Sequence, residues 1–305
     1  LYKPYSRMSE FIQQVINGLS LGAIYALIAL GYTMVYGILK FINFAHGEIF
    51  MLGAFSGFYI ARMMGLTESS IVGALVVLIL SMSVCALIGV TIEKLAYKPL
   101  RSASKLTVLI TAIGVSLFLQ YTGQLVFGAD PKSFPTIINN VNFNIGGANI
   151  GSNQIVVIVS SLLLMLGLRQ VVQKTKIGTA IRAVSNNLTA ASLMGININN
   201  VISFTFVLGS SLAAAAGILY SINYPSIDPL MGILPGLKAF IAAVLGGIGN
   251  FPGAVLGGLV IGLIETFTVG YLSPTYRDAI AFAILIIILL VKPTGLLGKK
   301  EVEKV

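Results

Sequence analysis

Uninterrupted apolar segments of about 20 residues recur along the chain, and they constrain the fold more than any other feature. A helix of that length rises 1.5 Å per residue and crosses a hydrocarbon core of roughly 30 Å. Of the 305 residues, 56% are hydrophobic and only 10% are charged, whereas a soluble domain is about 25% charged. The runs are continuous and do not alternate with polar residues, as the strands of a membrane barrel do. The sequence therefore predicts an all-α, polytopic integral membrane helix bundle.

The apolar pattern predicts about eight full spans and two shorter segments in one transmembrane domain, residues 8–300. The predicted full spans are 11–30, 47–64, 71–93, 106–128, 153–172, 200–221, 254–271 and 277–293. The shorter segments, 31–46 and 236–250, are interrupted by glycine or polar residues and are predicted to be half-spans or re-entrant helices. Residues 1–7 precede Met8 and are expected to be a non-native leader.

The distribution of lysine and arginine predicts the orientation. Twelve of these 19 residues lie in three segments, 94–105, 169–182 and 292–304, and cytoplasmic loops carry such an excess. The stretch 129–152 is rich in Asn and Gly and is expected to be an external loop. We therefore expect the N-terminus outside and the C-terminal tail, 294–305, in the cytoplasm.

Several classes of function are disfavoured by composition. One histidine and one cysteine, Cys85, cannot build a metal cluster. The net charge of +9 lies mostly in the predicted cytoplasmic segments, so it does not indicate nucleic acid. The sequence has no G-x-x-x-x-G-K-[ST] phosphate loop. We therefore expect no catalytic residues, no metal and no cofactor bound by this chain, and any ATP must be bound by another chain.

The predicted cytoplasmic loop 173–199 is longer than a turn requires. Apolar or small residues recur in it at helical spacing: Ile181, Val184, Leu188, Ala191 and Gly195. We predict two short helices separated by 185–187. One interpretation is an amphipathic connector on the membrane surface. The other is a coupling helix that fits a groove on a partner ATPase.

Six segments, in order, carry a resemblance to a known family. They are NGLSLGAIYALIALGYTMVYGI (17–38), INFAHGEIFMLGA (42–54), EKLAYKPLRSASKLTVLITAIGVSLFLQ (93–120), the loop at 178–196, GLKAFIAAVLGGIGNFPGAVLGGLVIGLIE (236–265) and VKPTGLLGKKEVEKV (291–305). With these segments the chain resembles the LivH-type permease subunit of high-affinity branched-chain amino acid ABC transporters.

The resemblance implies a bacterial inner-membrane subunit, surrounded by lipid, that forms a heterodimer with a second, homologous permease. Two cytoplasmic ATPase subunits, using ATP and Mg, would drive it. A periplasmic binding protein would deliver leucine, isoleucine or valine. Two alternatives remain open: a sister permease for urea or short amides, and an ion-coupled carrier or channel that works alone.

The resemblance also implies a coupling role for four residues of the loop. Ala190, Ala191 and Gly195 match the small-residue core of the EAA signature of importer permeases, and Arg182 precedes them. A bulky residue in place of Gly195 is expected to uncouple transport while the permease still assembles.

Ionisable and polar residues at membrane depth are candidates for function. Around the half-span, Asn43, His46 and Glu48 cluster. On a helix, His46 and Glu48 lie about 200° apart, which argues against a catalytic dyad. The cluster either fixes a helix break through hydrogen bonds or lines the transport path.

A second group of candidates lies towards the C-terminus. The backbone of Gly246 and Gly249 belongs to the second broken segment and could contact the cargo. Glu265 lies within a predicted span. It either is satisfied by Thr266 or Thr268, or by a basic residue of a partner subunit, or lines the path.

Overall fold

The computed structural model describes residues 7–66, 69–145 and 147–298, and it confirms a helical polytopic membrane protein. Residues 1–6 of the predicted leader and 299–305 of the predicted tail lie outside the described residues. The α-helices are α1 Arg7–Leu39, α2 His46–Met63, α3 Ile71–Ile92, α4 Lys105–Phe127, α5 Ser152–Lys174, α6 Lys176–Asn186, α7 Leu188–Leu193, α8 Ile198–Asn223, α9 Ile233–Gly246, α10 Phe251–Tyr271 and α11 Arg277–Val291.

Among the described residues, seven helical segments are long and apolar enough to cross a membrane. They are Arg7–Leu39, Ile71–Leu100, Lys105–Phe127, Ser152–Lys174, Ile198–Asn223, Phe251–Tyr271 and Pro274–Val291. The segment Ile71–Leu100 continues α3 through a π-helical turn, Glu93–Tyr97, and a 3-10 turn, Lys98–Leu100. The predicted full span 47–64 corresponds to α2, which is not among the seven because histidine, glutamate and arginine reduce its hydropathy.

The predicted half-span 31–46 is wrong, because α1 continues without a break through Gly31 to Leu39. Gly31 is a contact point: a Cβ added there would lie 2.2 Å from Nε2 of His46. The break comes later, at residues 40–45, where Lys40 has a positive φ of 55°. The other predicted half-span, 236–250, corresponds to the 14-residue helix α9.

Helix α1 lies at the centre of the bundle, and it contacts α10 through glycines. A Cβ at Gly262 would lie 2.3 Å from the Cα of Gly22, and one at Gly258 would lie 2.5 Å from the backbone nitrogen of Ala26. The two backbones therefore touch, as small residues permit in membrane helix pairs. Residues Ala23 to Leu30 of α1 are at most 5% exposed.

One end of the bundle gathers the segments that have few charges. Strand β1, Lys132–Ser133, pairs antiparallel with β4, Ser226–Ile227. The side chain of Gln13, near the start of α1, accepts a hydrogen bond of 2.8 Å from the Asn149 N–H. The stretch 129–152 also contains a hairpin of β2, Asn142–Ile145, and β3, Ala148–Gly151. The start of α1 and this stretch therefore share one end.

The segments rich in lysine and arginine lie at the other end of the bundle, which we call the basic end. Arg101 forms an ion pair with Glu93 and donates a 2.6 Å hydrogen bond to Asn199, in the first turn of α8. Ser185 in α6 donates a 2.8 Å hydrogen bond to the Gly37 carbonyl at the end of α1. The C-terminal segment also lies here, because the Leu297 N–H donates to the carbonyl of Gly246.

Candidate functional site

The starts of α2 and α9 meet inside the bundle. His46, the first residue of α2, packs against Gly31, which lies eight residues before the end of α1, or about 12 Å at 1.5 Å per residue. Residues 40–45 therefore turn back into the bundle before α2 begins. Helix α9 begins at Ile233, and it ends at Gly246, at the end that gathers the basic segments.

Three glycines allow the two helix starts to touch. A Cβ at Gly47 would lie 2.7 Å from the carbonyl oxygen of Gly232, and one at Gly232 would lie 2.3 Å from the carbonyl oxygen of Gly47. A Cβ at Gly236 would lie 2.9 Å from the Cα of Gly47. No larger side chain fits in this contact unless the backbones separate.

A cavity of about 160 Å³ lies beside this contact. Helices α1, α2, α4 and α9 and the segment before α2 form its walls. The lining residues are Tyr32, Phe44, Gly47, Glu48, Ile113, Ser116, Leu117, Gln120, Gly232, Ile233, Gly236 and Leu237. The site thus combines two helix N-termini, one carboxylate and several apolar side chains.

Glu48 points towards α4. Its Oε1 accepts hydrogen bonds from Ser116 Oγ at 3.1 Å and from Gln120 Nε2 at 2.7 Å. Its Oε2 is buried and has no hydrogen-bond partner within the described part of the chain. The residue is only 2% exposed. Sequence reasoning did not identify Ser116 and Gln120, because on α4 they are isolated polar residues some 70 positions away.

His46 lies on a different side of α2 from Glu48. Its ring packs edge-on against Tyr32, with the centroids 4.7 Å apart, and its Nε2 is buried without a hydrogen-bond partner in the described part of the chain. The residue is 1% exposed and does not line the cavity. The ring of His46 thus fills the space between α1 and the first turn of α2.

Asn43 holds in place the segment 40–45, which connects α1 to α2. Its Oδ1 accepts a 2.6 Å hydrogen bond from the hydroxyl of Tyr97, in the π-helical turn, and its carbonyl accepts one from the His46 N–H. Both contacts are within the protein, and Asn43 is not a cavity-lining residue. Asn43 therefore ties the helix break to the end of α3.

Gly246 ends α9, about 20 Å from its start at 1.5 Å per residue, and Gly249 follows in the turn after it. A Cβ at Gly246 would lie 2.0 Å from the Gly253 carbonyl oxygen, so this glycine lets α9 contact α10. Gly249 has a φ of +92°, which a turn residue without a side chain adopts readily. These two glycines do not join Asn43, His46 and Glu48 in one site.

Glu265 belongs to a second buried polar cluster, between α1, α9, α10 and α11. It accepts a 2.8 Å hydrogen bond from the Tyr25 hydroxyl and forms ion pairs with Lys238, at 2.9 Å, and with Arg277. Lys238 also pairs with Asp278 at 2.6 Å. Two acids and two bases thus balance each other within one chain.

The two threonines that the sequence suggested as partners of Glu265 do not hydrogen-bond it. The hydroxyls of Thr266 and Thr268 donate to carbonyls of their own helix, and not to Glu265. Sequence reasoning missed Lys238, although a single lysine in the otherwise uncharged α9 was a usable signal.

The loop 173–199 folds into the two short helices α6 and α7, with Asn187 between them. The Asn187 side chain accepts a 2.9 Å hydrogen bond from the Ala190 N–H and so caps α7. Helix α6 is held on the bundle by Ile181 and Val184, which are buried, and by Arg182, which donates to the Val172 carbonyl.

The four residues with an expected coupling role have different positions in this hairpin. Ala191 is 4% exposed and packs inside the chain, whereas Ala190 is exposed. Gly195 is exposed, has a φ of +82° and has open space around it. It ends α7 in a Schellman motif, with Ile196 N–H donating to the Ala191 carbonyl and Gly195 N–H to the Ser192 carbonyl.

Two large apolar side chains of the hairpin face outwards. Leu193 and Met194 are each 83% exposed. They lie at the end of the bundle that gathers the basic segments. Sequence reasoning did not identify them. It relied on the apolar and small residues that recur at helical spacing, and most of these lie on the inner face of the hairpin.

Comparison with known proteins supports the resemblance. Residues 14–289 match the family described as the permease component of branched-chain amino acid transport systems. The chain belongs to this family. It is 45% identical over 304 residues to the high-affinity branched-chain amino acid transport system permease protein BraD of Pseudomonas aeruginosa, with 97% of this chain and 98% of that protein covered.

Two further relatives extend the comparison. LivH of Escherichia coli K12, a permease protein of a high-affinity branched-chain amino acid transport system, is 44% identical over 311 residues, with 97% and 98% coverage. A probable LivH of Methanocaldococcus jannaschii is 30% identical, with 89% of this chain and 88% of that protein covered. The permease is thus similar along nearly its whole length to bacterial and archaeal relatives.

Proposed function

We propose that this chain is one permease subunit of an ATP-driven importer that moves leucine, isoleucine and valine into the cell. The observation that carries this proposal is the 44–45% identity to two permeases named for branched-chain amino acids, over 97% of the chain. The same names favour branched-chain amino acids over urea or short amides. They also favour a subunit of a larger system over a carrier that works alone.

The proposed partners are a second, homologous permease, two ATPase subunits and a periplasmic binding protein. ATP and Mg²⁺ belong to the ATPases. The basic end of the bundle is proposed to face the cytoplasm, because lysine and arginine accumulate there. The start of α1 lies at the opposite end, so the N-terminus is proposed to be outside and the C-terminus in the cytoplasm.

The α6–α7 hairpin is the proposed contact for an ATPase. It lies at the basic end, it is fixed to α1 through Ser185 and to α5 through Arg182, and it exposes Leu193 and Met194. A rigid hairpin can transmit a displacement of the ATPase to the spans. The exposed apolar pair is the kind of surface that a partner protein covers.

Reconstitution tests the proposed function. Proteoliposomes that contain both permeases and both ATPases, with the binding protein added outside, should accumulate labelled leucine only when ATP is enclosed. The controls omit ATP, the binding protein or this chain in turn. Leucine uptake by this chain alone, driven by an ion gradient, would refute the proposal, and so would a complete complex that moves urea and not leucine.

A further inference from the structure

We propose that the cavity beside the α2–α9 contact binds the zwitterionic end of the transported amino acid. In this site the Glu48 carboxylate takes the α-ammonium group, and the start of α9 takes the α-carboxylate. The inference rests on the proposed function, because it requires an amino acid as cargo.

Glu48 differs from the other buried glutamates in its partners. Glu93 is paired with Arg101, and Glu265 is paired with Lys238 and Arg277. The described partners of Glu48 are the neutral groups of Ser116 and Gln120, both on Oε1.

A carboxylate in a low-dielectric interior is costly unless a cation or several donors compensate it. Oε2 of Glu48 is buried and lacks a partner in the described chain, and Glu48 lines the cavity. An ammonium group in the cavity would supply both the missing charge and the missing donor.

The start of α9 supplies the complementary charge. A helix N-terminus carries about half a positive charge and attracts carboxylates. Its N-cap residue is Gly232, which has no side chain that could occupy the helix start. Gly232, Ile233 and Gly236 line the cavity. The N–H groups of Ile233 and Gly236 donate to the carbonyls of Leu230 and Gly232, so the attraction for a carboxylate comes from the dipole of α9 and not from these two N–H groups.

The start of α2 is a weaker site for a carboxylate. Glu48 already stands in the first turn of α2, and its charge would repel a second anion. The two helix starts therefore favour groups of opposite charge. The start of α2, with its glutamate, favours the ammonium group, and the start of α9 favours the carboxylate. This arrangement fixes the orientation of a zwitterion.

The remaining wall suits an aliphatic side chain. Phe44, Ile113, Leu117, Ile233 and Leu237 supply apolar surface. The cavity of about 160 Å³ has room for roughly five water molecules at 30 Å³ each, which fits one small molecule and not a peptide. Ile113 and Leu117 are 43% and 46% exposed, so the cavity opens along α4.

The first test replaces Glu48 in the complete reconstituted complex. Glu48→Gln keeps the size of the side chain and one acceptor oxygen for Ser116 and Gln120, but it removes the charge and replaces the second oxygen with an NH2 donor. We expect leucine uptake to fall about tenfold or more, since a charge-assisted hydrogen bond is lost. Co-purification of the partner subunits and the ATPase activity stimulated by the loaded binding protein should remain. Glu48→Asp should restore part of the uptake.

The matched control is Glu10→Gln, because Glu10 is an exposed acid in the first turn of α1. Uptake by this variant should equal that of the wild type. If Glu48→Gln transports leucine at the wild-type rate, Glu48 has only a structural role and the inference is overturned. If the wild-type complex does not transport leucine at all, the proposed function itself has failed.

A second variant covers the case in which Glu48→Gln does not assemble. Leu117→Phe narrows the cavity, and it should lower the ratio of leucine uptake to valine uptake, measured with the same binding protein. Leu106→Phe is the control, because Leu106 is exposed on α4 and does not line the cavity. An unchanged ratio in Leu117→Phe would contradict binding at this site.

Discussion

Replacing Lys238 with methionine should destabilise the permease by about 3 kcal/mol. Lys238 is 2% exposed, and its Nζ lies 2.9 Å from Glu265 Oε1 and 2.6 Å from Asp278 Oδ1. Breaking a buried ion pair costs roughly 3–5 kcal/mol, because one charge is left uncompensated. Glu265 keeps Arg277 and Tyr25 as partners, so the expected cost lies at the lower end of that range. Methionine retains the apolar stem of the lysine.

Thermal unfolding of the purified permease measures this effect. At about 2–4 °C per kcal/mol, the Tm should fall by roughly 6–12 °C. Lys105→Met is the matched control, because Lys105 is an exposed lysine at the start of α4, and its effect should stay within about 0.5 kcal/mol.

The cluster also predicts an asymmetry between the two acids that pair with Lys238. The Asp278 side chain is 44% exposed, although its Oδ1, which pairs with Lys238, is buried. Asp278→Asn keeps an amide oxygen for Lys238 and leaves Lys238 paired with Glu265, so it should cost less than Lys238→Met. A Lys238→Met variant with the Tm of the wild type would refute the reasoning. It would show that Glu265 needs no cation beyond Arg277.

Three further predictions test other parts of the structure. Gly31→Ala should cost about 1–3 kcal/mol of stability, because the new methyl group would overlap the ring of His46, and adding His46→Ala should restore much of the loss in a thermal-unfolding assay. Gly195→Leu should cost about 1–2 kcal/mol through its left-handed backbone and leave the permease assembled, as co-purification with the second permease would show. Leu193→Asp with Met194→Asp should lower ATP-driven uptake by weakening the ATPase contact, which a pull-down of the ATPase measures directly.

The spans were largely predictable because lipid imposes one simple rule. A continuous apolar run of sufficient length must be a helix, and the predicted 71–93, 106–128 and 200–221 agree with α3, α4 and α8 to within two residues at each end. The break after α1 was not predictable in the same way. Glycine and polar residues in 31–46 suggest an interrupted helix, whereas Gly31 makes room for the His46 ring of another helix.

Only part of the candidate site could be predicted from the sequence. The segment with His46 and Glu48 is identifiable because polar residues are rare in such a chain. Its partners are not, since Gln120 and Gly232 lie 72 and about 180 positions further along and come close only through helix packing. Spacing within one helix separates His46 from Glu48, but it cannot show which neighbour each side chain meets.

The central position of α1 has a consequence for biogenesis. During synthesis α1 leaves the ribosome before α10, its main glycine-mediated contact, which follows about 210 residues later, or roughly 10–40 s at 5–20 residues per second. During that interval the side chains of α1, which are almost wholly buried in the folded protein, must be stable in contact with lipid. Its mean hydropathy of 1.7 in the best window permits this. The sequence of α1 must therefore be compatible first with the bilayer and later with the protein interior.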